Sequence, residues 1–501
     1  MKRNIYSILL SFIALVAMTA SCTKFLTEEP KTFDTPQVYY NTAEEMQYSV
    51  NGCYGGLSSV FASGIGLALN GHVFFEGLTG LCWREQSGGN DLMGFTLPLV
   101  ENQDLVNANF WRDYYKAIEN CNSTIHGIET STADVAEATK NALLAEVYFL
   151  RAYYYSRLVA MFGPIPYKVT PTSGTADAAL PLDSEDTVID GCIADLQHAE
   201  TLAENVAWNP ANGHVGKGAI KSLLAKVYMM KAGHPCNDSS YYQFAYDKAK
   251  EVVNSNTFSL FGSYADLRNQ ANENVGEFIF CLQREPQHAS NALVGTVYPL
   301  TAPTIAKSVN GGGGFVPNQS FVDSYEDGPR KDAFFFTEYP SWEDPNVIVK
   351  FAPHVFKFFD ESADALGELR CGMDYWIIRY ADVLLTLAEA KAQADGGSTS
   401  DQTAVDAYWQ VRSRAVTGET KPSSISFETV FEERVKELAF ENITWFDMVR
   451  TRKAYDPIQD KVVNIIGHVA EGHPGHPFTE KDMLIPYPYR ERTYNPNLVR
   501  K

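Results

Sequence analysis

The sequence predicts a mostly α-helical protein in which stacked helix pairs are interrupted by one loop-rich insertion, and three observations carry that expectation. Residues 141–162 set Leu144, Tyr148, Ala152, Tyr155, Val159 and Phe162 at steps of three and four, the spacing that lines one helix face. Helical segments recur in pairs, at 187–202 with 218–231 and at 375–394 with 401–415, mixing small and bulky side chains. Residues 261–372 lose that period and hold ten glycines and eight prolines in 112 residues, denser than the 59 in 501 of the whole chain. Pairs of roughly 30 to 40 residues are how tetratricopeptide-type repeats stack, although an irregular helical domain fits the pattern equally because no repeat consensus is legible.

In chain order, residues 1–21 read as a secretory signal. Lys2 and Arg3 precede an apolar run from Ile8 to Met18, and Thr19-Ala20-Ser21 leads into Cys22. The run is too short for a bilayer span. A cysteine directly after Ala20-Ser21 occupies the acylation position of bacterial lipoprotein signals, so Cys22 is the expected lipid anchor, with Thr19 in place of the usual leucine. Residues 22–36 are polar, hold Pro30 and Pro36, and suit an extended tether. The body divides into 37–260, the loop-rich 261–372, and a helical and closing part at 373–501. Thr42 and Glu45 form a capping-box pair ahead of a helix to Phe61. Residues 62–107 are glycine-rich and read as irregular, and helix resumes over 110–128. Gly163, Pro164 and Pro166 stop the 141–162 helix. A helix is also expected at 241–254, and in 375–394 Ile377, Ala381, Leu384 and Ala388 share one face before Asp395-Gly396-Gly397 ends it.

Composition excludes several function classes. The chain carries 61 acidic against 41 basic side chains, a net charge of -20, with no basic run. A nucleic-acid partner is excluded, because displacing counterions from phosphates needs a basic stripe. Without Lys2 and Arg3 the exported chain has 61 acids against 39 bases, so lipid rather than the protein face must hold it at an anionic leaflet. Seven further cysteines, none in a C-x-x-C pair, read as buried thiols with room for one adventitious disulfide. No P-loop, nucleophile elbow or H-E-x-x-H helix is present. Carboxylate pairs are too common in an acidic chain to exclude a glycosidase. His468, His473 and His476 lie in a glycine- and proline-rich loop that could offer imidazoles to a metal, and the preferred reading is a solvated loop. Asp323, Glu326 and Asp327 before Gly328 read as a charged turn rather than a calcium loop. No cofactor is expected.

Several blocks, in this order along the chain, carry a resemblance. They are Ser21-Cys22-Thr23-Lys24-Phe25-Leu26, Phe149-Leu150-Arg151-Ala152-Tyr153-Tyr154-Tyr155, Gly163-Pro164-Ile165-Pro166, the run from Gly218 to Tyr228, and Ile378-Arg379-Tyr380-Ala381-Asp382-Val383-Leu384-Leu385. Glu432 to Glu441, Trp445-Phe446-Asp447-Met448-Val449-Arg450 and Asn495-Pro496-Asn497-Leu498 complete the series. Together they resemble the SusD/RagB outer-membrane lipoproteins of the Bacteroidetes over nearly the whole chain. Ile443-Thr444 and Ile485-Pro486-Tyr487-Pro488 depart from the family pattern in structural segments. The resemblance implies a right-handed superhelix of tetratricopeptide-type pairs packed against a loop-rich subdomain. It also implies a non-enzymatic surface protein that binds a nutrient, usually a glycan and in some members a peptide, as a lid on a SusC-like TonB-dependent outer-membrane transporter. A helical-repeat adaptor with a protein partner only is the alternative from another class. Arg379 and Asp382, three apart, can reach one another or neighbouring turns, and with Glu433, Arg434 and Glu437 they read as scaffold ion pairs.

Sugar recognition in water favours flat aromatic faces flanked by fixed hydrogen-bonding groups. Trp83, Arg84, Asn90 and Asp91 supply those types in a short span, and the resemblance places the ligand platform on this early loop with aromatics of the loop-rich part. From that part Tyr298 and Trp342 are the candidates, with Tyr339 behind them.

Overall fold

The computed structural model of the protein describes residues 39–62, 71–85, 95, 104–291, 293–307, 313, 315–368 and 370–500, so the signal, the tether, Cys22, Asn90 and Asp91 lie outside the described residues. Helices α1 (Ala43–Ala62), α2 (Gly71–Leu78), α3 (Asp104–Thr130), α4 (Glu137–Phe162), α5 (Glu185–Leu202), α6 (Lys217–Ala232) and α7 (Tyr241–Asn254) precede the loop-rich stretch. After it come α8 (Tyr380–Ala394), α9 (Gln402–Ala415), α10 (Phe427–Glu437) and α11 (Thr444–Thr451). Helix α1 packs on α3, α3 on α4, α4 on α5, α5 on α6 and α6 on α7. Next in the stack is α8, which packs on α7 and then on α9, so the series resumes across the insertion. Sequential helix pairs that touch only their neighbours are the tetratricopeptide-type arrangement.

Local chemistry sets the helix ends. The Glu45 amide donates to Thr42 Oγ1 at 3.1 Å while the Thr42 amide donates to the Glu45 carboxylate at 3.0 Å, the capping box read from the sequence. Asp401 caps α9 by accepting from the Ala404 amide at 3.0 Å. Gly163 ends α4 at φ +74°, a left-handed conformation open to glycine, with its amide on the Val159 carbonyl at 2.9 Å.

The structure corrects three expectations. Helix α4 does not bury one stripe. From Leu143 to Phe162 only Tyr148, Arg157 and Ala160 keep partial exposure, because α1 and α3 cover one side and α5 the other. Its polar residues survive by pairing: Arg151 grips Asp195 through two bonds of 2.8 and 2.7 Å, and Glu146 accepts from Tyr54 and His214. Residues 62–107 are not irregular throughout, since α2 forms within them and α3 starts at Asp104. Residues 375–379 do not open α8. They form a strand, and Ile377 therefore leaves the face shared by Ala381, Leu384 and Ala388.

That strand, β6 (Tyr375–Arg379), pairs antiparallel with β2 (Phe278–Leu282), Phe278 opposite Arg379. Aromatic and β-branched Tyr375-Trp376-Ile377-Ile378 suits a pleated surface, and cross-strand pairing outweighs the helical period. The two other strand pairs that matter are β1 (Cys82–Trp83) with β3 (Val316–Pro317) and β4 (Phe335–Pro340) with β5 (Ile348–Val355). One apolar cluster runs continuously from Met46 to Leu498 through helical and loop-rich parts alike.

A buried ionic seam joins those parts. Arg379, at the end of β6, faces Glu277, Glu437 and Glu441, its Nε and Nη2 lying 2.8 and 2.6 Å from the Glu441 carboxylate. Asp382 takes Lys226 at 2.7 Å and Arg434 at 3.0 Å, so both residues sit in scaffold ion pairs as expected, though with partners on other elements rather than with each other, Arg379 being on a strand. Glu433 pairs with Arg330 and Arg412, and Arg434 also reaches Asp447 at 2.8 Å. Against the upward push of burial, Arg414, Arg379 and Arg330 hold the Glu437 carboxyl at about 2. The Lys357 ammonium donates to the Glu437 and Ala439 carbonyls at 2.8 and 3.1 Å, fastening the insertion to the end of α10.

Candidate functional site

The segment after α2 is clamped before it reaches the surface. Asn318 Nδ2 donates to the Gly80 carbonyl at 2.7 Å, the Gly472 amide donates to the same oxygen at 3.1 Å, and Gly80 turns the chain at φ +73°. Strand alternation then decides what faces water. Cys82 points inward at 4% exposure, Trp83 outward at 46%, and Arg84 inward at 1%. Burial lowers the Arg84 guanidinium to about 10. Glu85 ties this segment to the insertion, accepting the Leu300 amide at 2.6 Å and lying 3.4 Å from His354 Nε2 on β5.

The β4–β5 hairpin carries the second exposed indole. Trp342 sits in its turn at 38% exposure, with Val347 and Ile348 also open to solvent. The Ser341 amide closes the turn on the Val347 carbonyl at 2.8 Å, and the Asp344 carboxylate accepts from the Asn346 amide at 3.0 Å. The Trp342 amide donates to the Thr304 carbonyl at 2.6 Å. Residues 300–304 thus bond to the Glu85 carboxylate on one side and to the Trp342 amide on the other, linking the two tryptophan segments. Beneath the hairpin lies an aromatic floor in which Phe336, Phe351, Phe356 and Phe359 meet edge-on or tilted at 4.9 to 5.4 Å. Tyr339 is half-buried on that floor, 4.7 Å from Phe359.

Of the residues named from the sequence, Trp83 and Trp342 are thus the two with open aromatic faces. Tyr298 is a core residue, 2% exposed, its ring tilted against Phe359 at 4.9 Å, and its hydroxyl has no hydrogen-bond partner among the described residues. Burial drives that phenol well above its ordinary pKa. It supports the hairpin floor and presents no face to a ligand. Arg84 is likewise interior. Asn90 and Asp91 are outside the described residues, as is the four-glycine run except Gly313.

The histidine loop is solvated along most of its length, as the sequence suggested, with Gly467, Val469, Glu471, Pro474, Gly475 and Pro477 exposed, while its imidazoles turn inward. His473 is fully buried with Nε2 3.0 Å from the Gly77 carbonyl, His476 stacks on Phe95 at 4.8 Å and sits 3.1 Å from Asp482, and His468 lies beside Phe478. The imidazoles pack on Phe95 and Phe478, while the glycines and prolines of the loop stay at the surface. Among the described residues no group of three or more histidine, cysteine, aspartate or glutamate side chains could hold a metal ion. In the acidic turn, Glu326 accepts from Arg412 at 2.8 Å, Asp327 pairs with Lys331 at 3.0 Å and Asp323 accepts from Gln319 at 2.8 Å.

Two concavities escaped the sequence reading. A cavity of about 160 Å³ lies within the frame between α4, α6, β6 and α11, where Arg157 stacks 3.7 Å over Phe446 and the lining arginines Arg434 and Arg450 both pair with Asp447. A surface cleft of about 480 Å³ sits where α5 meets α6, with Trp208, Lys217, Lys221 and Glu204 around it. Its available signal was a tryptophan in the interhelical turn Trp208-Asn209-Pro210.

Comparisons with known proteins follow the same architecture. Residues 349–501 match the model of the SusD family, and residues 83–229 match a family described as starch-binding, associating with outer membrane. A SusD superfamily protein from Parabacteroides distasonis is 30% identical, covers 91% of this chain and 98% of its own, and superposes with a TM-score of 0.83. A SusD-like protein of Formosa agariphila is 26% identical over 98% of each chain. Surface glycan-binding protein A from Bacteroides thetaiotaomicron, solved in complex with laminarihexaose, shares the fold at a TM-score of 0.71 with 18% identity over 91% of this chain and 98% of its own.

Proposed function

The chain belongs to the SusD family, and from that premise we propose that it is a non-enzymatic cell-surface lipoprotein that captures a glycan and passes it to a partner TonB-dependent outer-membrane transporter. The observation that carries the ligand class is the pair of solvent-facing indoles, Trp83 and Trp342, on backbone segments fastened to each other through residues 300–304. An indole face covers the apolar C–H face of a pyranose ring, which hydroxyl contacts alone cannot desolvate with profit. Glu343, Asp344 and Asn346 beside Trp342 and Thr301 beside Glu85 supply hydrogen-bonding groups to sugar hydroxyls. A neighbour of the same fold solved with laminarihexaose supports the same reading.

Cys22 carries the anchoring lipid in this proposal. No described helix is long and apolar enough to cross a membrane, and several acyl chains on one cysteine hold a protein stably at a bilayer, each buried methylene adding about 0.8 kcal/mol. One face of the helical stack meets the transporter.

The test is calorimetry of the chain from residue 23 onward against a panel of polysaccharides and peptides, with reducing-sugar release followed in parallel. Saturable binding of a polysaccharide without cleavage is expected. Binding of peptides alone transfers the protein to peptide capture, and sugar release overturns the non-enzymatic assignment. Recovery as a lone monomer from outer membrane solubilised in several mild detergents overturns the transporter partnership.

A further inference from the structure

Helices α1 and α3 run antiparallel in contact, and two fixed points set their register. At one end Ser49 Oγ lies 2.8 Å from Thr124 Oγ1. At the other the helices approach so closely that a Cβ on Gly56 would stand 2.3 Å from Ala117 Cβ. Between these points α1 counts seven residues forward, from 49 to 56, while α3 counts seven back, from 124 to 117. Cys53 lies four residues past Ser49 and Cys121 three residues before Thr124, one helical turn in each case. Both sulfurs therefore fall in the middle of the same contact strip. Direct contacts agree: Cys53 Sγ is 3.4 Å from Thr124 Oγ1 across the interface, and Cys53 and Cys121, both free thiols in this structure, are fully buried.

From this register we propose that Cys53 and Cys121 are joined by a disulfide in the mature, exported protein, a covalent modification that clips α1 to α3. The proposal rests on the export reading above, since an oxidising compartment is where such bonds persist. Ordinary helix pairs stand about 8 to 10 Å apart, whereas a disulfide needs Cα atoms roughly 4.4 to 6.8 Å apart. The Gly56–Ala117 approach brings the two backbones unusually near on this strip. In the docked pair the two thiols contact each other, hydrogen bonding to Cys121 lowering Cys53 and burial raising Cys121.

The oxidant is a disulfide-bonded dithiol protein of the export compartment. The Cys53 thiolate attacks one of its sulfurs, forming a mixed disulfide and releasing the other as thiolate. The Cys121 thiolate then attacks Cys53 Sγ, forming the internal bond and releasing the second oxidant thiolate. Two protons leave the cysteines and two electrons reduce the oxidant to its dithiol. Exchange takes place before α1 docks, because docking seals both sulfurs. The segment enclosed by the bond carries Trp83, so the clip also narrows the conformations open to the loop that presents this indole.

The full chain is taken from the envelope of the producing bacterium, alkylated in denaturant without reductant, digested and analysed by mass spectrometry, with its location fixed by fractionation and signal cleavage. The expected result is a cross-linked pair of peptides containing Cys53 and Cys121, lighter by two hydrogens than the separate peptides and abolished by reductant. Cys53→Ser, Cys121→Ser and the double variant should each lose about 5 °C of melting temperature, and by the same amount, because each removes the same clip. Both cysteines alkylated in envelope-derived chain overturns the proposal. If the chain is found in the cytoplasm with its signal uncut, the export reading has failed, and refolding of the purified chain in glutathione buffer decides the pairing. A Cys53–Cys121 bond there supports the register argument, and two free thiols there overturn it.

Discussion

Replacing Trp342 or Trp83 by alanine tests the platform quantitatively. A tryptophan side chain can bury up to about 250 Å². At 38% exposure Trp342 offers roughly 95 Å² to a ligand, and at 46% Trp83 offers roughly 115 Å². A sugar covers one face of an indole, about half of that area, so at ~25 cal/mol per Å² each ring is worth about 1.2 to 1.4 kcal/mol. Each single variant is expected to weaken the glycan identified in the panel about 8- to 10-fold at 25 °C. The double variant should lose roughly 60- to 100-fold if both rings contact one chain, since separated contacts add. The assay is calorimetry with circular dichroism as the folding control: more than half of each side chain is buried, so a lower melting temperature is expected while the native spectrum is retained. Tyr298→Phe serves as the interior control. It deletes a buried hydroxyl without a partner among the described residues and should leave affinity unchanged. Unchanged affinity in both tryptophan variants, with the fold intact, refutes the placement and directs attention to the Trp208 cleft.

Three further outcomes follow from the frame and the anchor. Burial pushes the Glu76 carboxyl from 4.5 to about 8, so the folded chain holds a proton that the unfolded chain releases, and stability falls as pH rises between those values, by at most about 5 kcal/mol. Glu76→Gln keeps an acceptor for the Asn442 amide, now at 2.6 Å, and should flatten that decline in urea midpoints measured at pH 5 and pH 8; an unchanged slope rejects the assignment. Arg379→Met leaves Glu277, Glu437 and Glu441 buried without their shared guanidinium and is expected to cost about 3 to 5 kcal/mol in urea denaturation, with a cost below 1 kcal/mol counting against the seam as a structural fastening. Cys22→Ser should abolish fatty-acid labelling and release the chain from membranes, and persistent attachment of that variant rejects Cys22 as the anchor.

Periodicity made the helices legible, and tertiary pairing decided where it misled. The capping box at Thr42, the break at Gly163 and the Asp401 start are local chemistry, readable because each depends on residues within one turn. Residues 375–379 were misread because an apolar run followed by helix continues the same period, and only Phe278–Leu282, about a hundred residues earlier, reveals the strand partner. The same long-range logic hid the partners of Arg379 and Asp382. At the candidate platform, sequence found the aromatic types but could not separate Trp342 from Tyr298. A turn between Pro340 and Pro345 pushes one ring outward, whereas the other packs on Phe359, a residue remote in sequence.

The two indoles combine exposed rings with pinned backbone, and that combination implies a residue that acts on binding without touching a ligand. Trp83 is held by the β1–β3 pairing and Trp342 by its amide on Thr304, while the link between the segments passes through the Glu85 carboxylate on the Leu300 amide. Binding to a prearranged surface costs little ordering entropy, and loosening that surface adds the cost back, at about 0.5 to 1.5 kcal/mol for each group that must be re-immobilised. Glu85→Ala frees the Leu300 amide and should therefore weaken the glycan about 3- to 10-fold. The loss should appear as less favourable entropy with an unchanged heat-capacity change, because the apolar area covered by the sugar stays the same. Glu85→Gln retains an acceptor for the Leu300 amide and should recover most of the affinity, which separates backbone positioning from a direct role of the carboxylate's charge. Wild-type affinity in Glu85→Ala would show that residues 300–304 keep the two tryptophans aligned without this bond, and the positioning argument would fail.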